Sequence, residues 1–265
     1  MDVAEAREYG GRHEYDGIPQ DLSRAGVTAG LAKLEAARRA GQPQPDPHDE
    51  AHLRAFEGLR QVVFGELELY RRNPLFHLNE LDLACYDKDY APAALRDAAR
   101  TAHLAAWPRV IDAAISSLDQ VSAPVAAALL DAVRGLAAGI PADADPGARS
   151  AALAAHSRLV EHVSAAAVTG SPDAALGSAG LTSLLGTAEA LDVDLGKLAL
   201  EADAERDRLT GRLTESCALV DASRPALDVA RELVKDHPDA AGVLTAARDW
   251  TARALDFTRS RDLMP

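Results

Sequence analysis

Apolar residues recur at helical spacing along most of this sequence, and this feature most constrains its fold. Between residues 53 and 70, and again between residues 243 and 257, apolar side chains follow one another at steps of three and four. This is the spacing of one face of an α-helix. No stretch shows the sustained apolar–polar alternation of a half-buried strand, and no internal repeat of fixed period is visible. The sequence therefore predicts an all-α protein, an irregular bundle of about ten helices.

The composition indicates how such helices pack. Hydrophobic residues make up 48% of the 265 residues, but aromatic residues make up only 4%. Many of the apolar residues are alanine, which favours helices and fills little core volume. We therefore expect closely approaching helices with leucine and valine at their contacts.

Proline and glycine divide the chain into predicted subdomains. Residues 1–20 are polar and contain glycine, which predicts a loose N-terminal arm. Residues 21–168 form a first helical subdomain and residues 181–262 a second. The segment 169–180 between them is rich in glycine and serine, as inter-subdomain loops are. One continuous domain is the alternative.

Charge and cysteine content exclude several classes of function. The formal net charge is −13 and the pI is about 5.0, whereas nucleic acids and anionic membranes bind basic surfaces. The two cysteines are too few for a disulfide framework. No apolar run is long enough to span a membrane and no secretory signal is visible, so we expect a cytoplasmic protein with neither nucleic acid nor membrane as partner.

Two histidine-containing motifs are the candidates for a metal site. His48 and His52 lie four residues apart on one predicted helix face, but zinc peptidases place a glutamate directly after the first histidine, and Glu50 comes one residue later. His77 and Glu80 form an i, i+3 pair, which is more often an ordinary side-chain pair than a metal site. The residues therefore predict no metal ligand and no cofactor in this chain.

Motifs for nucleophilic or phosphate chemistry are also missing from the sequence. It contains neither a Gly-x-Ser-x-Gly elbow nor a Gly-x4-Gly-Lys-Ser/Thr phosphate loop. Neither Cys85 nor Cys217 has a histidine beside it in sequence. We therefore assign no catalytic residue, and the residues alone leave open whether the chain is an enzyme.

The polar turn at residues 86–90, Tyr-Asp-Lys-Asp-Tyr, is the best candidate for recognition. It connects two apolar segments that we predict to be helical, and polar-aromatic loops on rigid scaffolds often bind ligands. A helix connection whose carboxylates cap the next helix explains the pattern equally well. If the turn binds a substrate, we expect the contacts to come from Tyr86, Asp87, Tyr90 and the nearby His77.

Three segments of the sequence resemble one known protein family. They are residues 73–92 (NPLFHLNELDLACYDKDYAP), 176–209 (LGSAGLTSLLGTAEALDVDLGKLALEADAERDRL) and 234–250 (VKDHPDAAGVLTAARDW). In content and order they are similar to the amino-terminal part of the bacterial domain-of-unknown-function family 885 (DUF885), which is itself similar to zinc metallopeptidases. The resemblance covers nearly the whole chain.

The resemblance implies a largely helical fold with a deep substrate cleft. In the complete family architecture, a carboxyl-terminal half carries a His-Glu zinc motif followed by a glycine–histidine pair. The amino-terminal half forms the other wall of the cleft. This chain has no matching zinc motif, since His13-Glu14 lacks a second histidine suitably placed. Zinc and a peptide-like substrate are therefore implied for the complete architecture, and no catalytic residue is carried over to this chain.

Two functions from different classes follow. The first is the helical, cleft-forming half of a metallopeptidase-like hydrolase, inactive alone, either as a truncated product or as one subunit of a split enzyme. Its partner is then a separately encoded catalytic half or a second copy of itself, and we expect an exposed apolar surface where the missing half packs. The alternative is a stand-alone, non-catalytic helical binding or scaffold protein, for which we expect a well-packed last helix over residues 240–261.

Overall fold

The structure confirms the all-α prediction. It is a computed structural model, and it describes residues 6–7 and 11–263. These residues form eleven α-helices and contain no strand. The helices are α1 (Arg24–Ala40), α2 (Pro47–Arg60), α3 (Leu69–Arg72), α4 (Leu75–Asn79), α5 (Ala93–Ser117), α6 (Ala123–Gly135), α7 (Pro146–Thr169), α8 (Gly177–Glu189), α9 (Leu195–Asp221), α10 (Ala226–Val234) and α11 (Val243–Ser260).

Several helices begin where a side chain caps the first turn. The Ser23 side chain accepts a hydrogen bond from the Gly26 amide at the start of α1, which satisfies one of the free N–H groups of a helix N-terminus. The Asp21 carboxylate accepts a hydrogen bond from the Ser23 amide. The helix begins at Arg24.

The main hydrophobic core lies among α5, α6 and α7. Trp107 and Ile111 of α5 and Leu159 and Val163 of α7 are almost completely buried there. Burying each such side chain contributes roughly 1.5–3 kcal/mol. Pro108 lies inside α5, and the helix continues through it. The buried neighbours offset the roughly 3 kcal/mol cost of an interior proline.

A second, smaller core holds the beginning of the chain. Val27 of α1 packs with Phe64 and with Tyr70 of α3. Phe64 lies in a π-helical segment, Gln61–Glu66, that continues α2. Leu22, just before α1, is also buried in this core, and the nearby Gln20 amide donates to the Glu80 carboxylate after α4 (2.8 Å).

The chain divides into two compact units, Met1–Asp194 and Leu195–Pro265. The sequence placed the division earlier, at residues 169–180. The segment Gly177–Glu189 is instead a helix, α8, that packs against α2. It therefore belongs to the first unit, and the loop before it does not separate the units.

The second unit consists of α9, α10 and α11. Among its described residues only Cys217 and Val229 are buried. No residue of α11 is buried, although apolar side chains recur along this helix. None of the described helices combines the length and the apolar character needed to cross a membrane.

Candidate functional site

The candidate site is the polar turn before α5, together with the arm residues that lie over it. The turn contains a short 3-10 helix, Ala84–Asp87. The Gly17 amide donates to the Tyr86 hydroxyl (2.8 Å), and the Tyr90 hydroxyl donates to the Asp16 carboxylate (2.8 Å). The sequence predicts a loose arm over residues 1–20, of which residues 1–5 and 8–10 lie outside the described part of the chain. The two bonds hold Asp16 and Gly17 against the turn.

Tyr86 belongs to a series of hydrogen bonds that runs from the Glu80 carbonyl oxygen through His103 to the Gly17 amide. His103 Nε2 lies 2.7 Å from the Glu80 carbonyl oxygen, which can only accept, so this nitrogen carries the proton. His103 Nδ1 then accepts from the Tyr86 hydroxyl (3.0 Å). Burial lowers the pKa of His103 to about 4 and raises the pKa of Tyr86 to about 12. Both groups are therefore neutral at pH 7.

His77 is also a buried structural histidine. Its Nε2 donates to the Tyr70 carbonyl oxygen (2.8 Å), and burial lowers its pKa to about 4. The Glu80 carboxylate accepts from the Gln20 amide instead of converging on His77. The structure thus favours the ordinary side-chain interpretation of the His77–Glu80 pair over the metal one.

Burial corrects part of the predicted substrate-binding set. Tyr86 is 0% exposed and His77 is 1% exposed. The hydrogen bonds of the Tyr86 hydroxyl and of His77 Nε2 are made to other groups of the protein. In this structure neither side chain has a surface with which to contact a ligand, because the surrounding residues cover both. Asp87 and Tyr90 are accessible, and their role in substrate binding stays a prediction.

Asp87 joins the turn to α5 through an ion pair. Its carboxylate contacts the Arg100 guanidinium, and Asp89 lies 3.4 Å from Arg96. No side chain caps the N-terminus of α5, where Pro92 occupies the cap position. Asp87 and Asp89 therefore contact α5 through ion pairs with arginines in its first two turns. They do not cap the N-terminus of α5.

Tyr90 lines a small cavity between the arm and the turn. The cavity has a volume of about 210 Å³, and its walls also include His13, Asp16 and Lys88. The His13 ring stacks on the Tyr90 ring at 4.4 Å and is nearly parallel to it. Burial and the neighbouring Asp16 carboxylate raise the pKa of Tyr90 above its ordinary value, so its hydroxyl remains a hydrogen-bond donor.

The polar groups of this cavity are engaged with one another. The Tyr90 hydroxyl already donates to Asp16. The Cys85 thiol also lines the cavity, and it donates to the Asp82 carbonyl oxygen (3.8 Å). The volume lies below the 300–1,000 Å³ typical of drug-sized ligand pockets. The cavity can hold a small polar group or the end of a longer ligand.

The described residues do not fit the zinc ion that the resemblance implies. Within this part of the chain, no three His, Cys, Asp or Glu side chains are placed to hold a metal ion. His48 and His52 pack edge to face, with their ring centres 4.4 Å apart, and Glu50 bonds to Arg54 instead (2.7 Å). We therefore derive no metal-dependent step from this chain.

Two histidines of α7 are hydrogen-bonded to backbone carbonyl oxygens. His156 Nε2 lies 2.8 Å from the Val133 carbonyl oxygen, and His162 Nε2 lies 2.8 Å from that of Leu118. Each bond fixes α7 to a neighbouring segment.

The sequence did not reveal His103, Asp16 or His13 as parts of the site. His103 is paired with a tyrosine 17 residues away, and Asp16 with one 74 residues away. The one available signal was the cluster of polar and aromatic residues at 13–16, His-Glu-Tyr-Asp, in a segment that otherwise reads as loose.

Comparison with known proteins identifies a similar fold but no function. No protein-family model matches the sequence, and no curated protein matches it. A solved structure with a similar fold is that of a presumed lipoprotein of unknown function from Shewanella oneidensis, with a TM-score of 0.67 and 13% sequence identity. The match covers 98% of this chain and 55% of that protein, so the chain spans about half the length of its neighbour.

Proposed function

We propose that this chain is the helical, cleft-forming half of a metallopeptidase-like hydrolase. The zinc ligands come from a separate part of the assembled enzyme, and the chain alone does not hydrolyse peptides. Two observations support this proposal. One is the resemblance of three sequence segments to DUF885, and the other is the exposed apolar stripe on α11.

The stripe consists of residues that share one face of α11 at steps of four, three, four and three. They are Val243, Ala247, Trp250, Ala254 and Phe257. Trp250 is 64% exposed and Phe257 is 54% exposed. A helix with one apolar stripe is stabilised mainly by packing that stripe against another surface.

The rest of the second unit supports the same conclusion. With only Cys217 and Val229 buried among its described residues, this unit gains little from apolar burial within itself. Ordering each residue costs about 1–2 kcal/mol of backbone entropy, and two buried side chains do not offset that cost. A partner surface that covers the stripe supplies the missing burial.

The alternative, a stand-alone binding or scaffold protein, is less well supported. For such a protein we expect a well-packed last helix, whereas no residue of α11 is buried. The small cavity beside Tyr90 is the feature that favours it. A second copy of the chain is the other partner that could cover the stripe.

We place the assembled enzyme in the cytoplasm. Its two cysteines, Cys85 and Cys217, are free and buried, which is typical of proteins in a reducing compartment. The neighbour from Shewanella oneidensis is a presumed lipoprotein, so lipid attachment is the competing location. Recovery of the native protein in the membrane fraction of its own cells would contradict the cytoplasmic assignment.

The test is amide hydrogen exchange in α11, first in the chain alone and then with a candidate catalytic half. That half is a protein segment from the native locus that carries a His-Glu zinc motif. We expect fast exchange in α11 alone and at least tenfold slower exchange in the assembly, because covered helices open rarely. Slow exchange in the monomeric chain alone contradicts the proposal, since the stripe is then already covered.

Two matched substitutions identify the surface that is responsible. Trp250→Glu places a charge on the stripe and should weaken the assembly at least tenfold. Leu95→Glu changes a side chain of equal exposure, 64%, on α5 of the first unit and should leave assembly unchanged. Equal effects of the two variants contradict a role for the stripe.

A further inference from the structure

A pair of histidines lies on the exposed surface of α2, separate in sequence from the polar turn. His48 and His52 are both exposed and are four residues apart within this helix. Residues at that spacing are neighbours on one helix face. Their rings pack edge to face, with the ring centres 4.4 Å apart. The helix therefore brings two imidazoles together at the protein surface.

The ring nitrogens of this pair form no hydrogen bond or ion pair with any described residue. His48 contributes only its backbone amide, which donates to the Asp46 carboxylate. The buried histidines differ, since the rings of His77, His103 and His156 bond to backbone carbonyl oxygens. The His48 and His52 rings are therefore the ones that remain able to bind a ligand.

The neighbouring positions of α2 leave space around the two rings. With 3.6 residues per turn, Ala51 and Ala55 fall on the same side of the helix as the pair, and a methyl group is all that each presents. Glu50 and Arg54 fall on the opposite side, where they bond to each other (2.7 Å). Neither of these longer charged side chains therefore competes for the histidines.

The backbone that carries the pair is held in place before any ligand arrives. Asp46 caps α2 by accepting from the His48 amide (2.7 Å), and Glu50 accepts from the Gln44 amide (2.8 Å). Ligating groups on an ordered backbone lose less conformational freedom on binding. The carboxylates of Asp46, Asp49 and Glu50 in this first turn also offset the positive end of the helix dipole, so a cation can approach.

We propose that His48 and His52 together bind one late divalent transition-metal ion, Cu²⁺ most tightly. Imidazole nitrogen suits copper, nickel and zinc, whereas Mg²⁺ and Ca²⁺ take oxygen ligands, and affinity along the first-row series peaks at Cu²⁺. Two histidines at i and i+4 on a helix can share one ion. Rotation of the two exposed side chains turns one nitrogen of each toward the ion, and water completes the coordination.

This site is not the zinc centre that the DUF885 resemblance implies for the complete architecture. Two protein ligands are fewer than the three of a catalytic zinc site, so the ion exchanges readily and no hydrolytic step passes through it. The inference is independent of the proposed function. It needs no catalytic half, and the full chain alone tests it.

The test is calorimetric titration of the full chain, prepared without a histidine tag, with CuCl₂, NiCl₂ and MgCl₂. We expect saturable binding of Cu²⁺, weaker binding of Ni²⁺ and none of Mg²⁺. His48→Gln and His52→Gln should each weaken Cu²⁺ binding by roughly tenfold or more, because the second imidazole binds at high effective concentration. The double variant should lose little beyond either single one, since one substitution already breaks the chelate.

His237→Gln is the matched control, because His237 is an exposed histidine of the second unit without a second histidine one turn away. It should leave Cu²⁺ binding unchanged. All three positions are exposed, so the variants should fold. Cu²⁺ binding that neither His48→Gln nor His52→Gln weakens overturns the proposal, as does an equal effect of His237→Gln.

Paramagnetic broadening in NMR spectra locates the ion. At substoichiometric Cu²⁺ the ring-proton signals of His48 and His52 should broaden before those of His13 and His237, which are also exposed. Equal broadening of all four histidines would show adventitious binding only and would overturn the proposal. An assembled enzyme without peptidase activity, in contrast, overturns the proposed function and leaves this site unaffected.

Discussion

At the scale of single residues, buried polar groups show how the candidate turn is held in place. Tyr86 accepts a hydrogen bond from Gly17 and shares another with His103, so all three groups depend on one hydroxyl. In a low-dielectric interior an unpaired donor or acceptor costs more than a made bond contributes. The chain of bonds therefore stabilises the arm–turn contact only while it is complete.

Removing the Tyr86 hydroxyl should destabilise the first unit. We expect Tyr86→Phe to lower the free energy of unfolding by roughly 1–3 kcal/mol, because it leaves the Gly17 amide and His103 Nδ1 buried without partners. Urea unfolding measures this change. Tyr15→Phe, at a partly exposed position of the same arm, is the control and should change the free energy of unfolding by less than about 0.5 kcal/mol. Equal stability of Tyr86→Phe and wild type would contradict the hydrogen-bond chain.

Stability should also fall between pH 7 and pH 5. Burial lowers the pKa of His77 and of His103 to about 4 in the folded state, whereas both protonate near 6.5 when unfolded. The unfolded state then binds more protons, so the free energy of unfolding decreases as the pH falls below 6.5. We expect a loss of about 2 kcal/mol for each histidine at pH 5. The hydrogen bond from Arg71 lowers the pKa of Asp119, so Asp119 affects the free energy of unfolding only below pH 5.

A single substitution assigns this pH dependence. His77→Gln keeps a side-chain donor and does not titrate, so it should remove about half of the pH 7 to pH 5 difference. His48→Gln changes an exposed histidine and should remove none of it. Fluorescence of the buried Trp107 in a Trp250→Phe background reports on the first unit alone. A pH dependence that His77→Gln leaves intact would argue against a buried neutral histidine.

At the scale of helices, the junction after α2 has an unusual backbone. The π-helical segment Gln61–Glu66 is followed by Glu68 with φ of 46°, a left-handed conformation that costs a non-glycine residue about 1 kcal/mol. Phe64 and Tyr70, on either side of the junction, are both buried in the smaller core. Their packing fixes the direction of the chain there and offsets the strain.

Glycine at this junction should relieve the strain. We expect Glu68→Gly to raise the free energy of unfolding by up to about 1 kcal/mol, less a few tenths for the lost surface ion pair with Arg71. Glu66→Gly lies two residues earlier, within the helical segment, and should lower it by about 1 kcal/mol. Thermal unfolding of both variants measures the difference. A lower free energy of unfolding for Glu68→Gly than for the wild type would show that the Glu68 backbone is not strained.

The helices could be predicted from the sequence because their periodicity is a local property. The stripe on α11 follows from apolar spacing. The continuation of α5 through Pro108 could not be predicted, because distant packing around Trp107 outweighs the local preference of a proline. The partners of Tyr86 and Tyr90 could not be predicted, since hydrogen bonds between remote segments leave no local pattern.

At the scale of the whole molecule, the two units differ in how they are stabilised. The first contains both hydrophobic cores, whereas the second buries two of its described side chains and leaves the α11 stripe exposed. Little apolar burial offsets the cost of ordering such a unit, and a bound partner surface would stabilise it. This difference between the units is the observation behind our proposal that the chain is part of a larger hydrolase.

The measurement that tests this account most directly is peptide hydrolysis by the isolated chain and by the chain assembled with the zinc-motif segment of its native locus, with and without the chelator 1,10-phenanthroline. We predict no hydrolysis by the chain alone and chelator-sensitive hydrolysis by the assembly. Zinc-dependent cleavage by the isolated chain, or a zinc-loaded assembly that cleaves no peptide, would contradict the account.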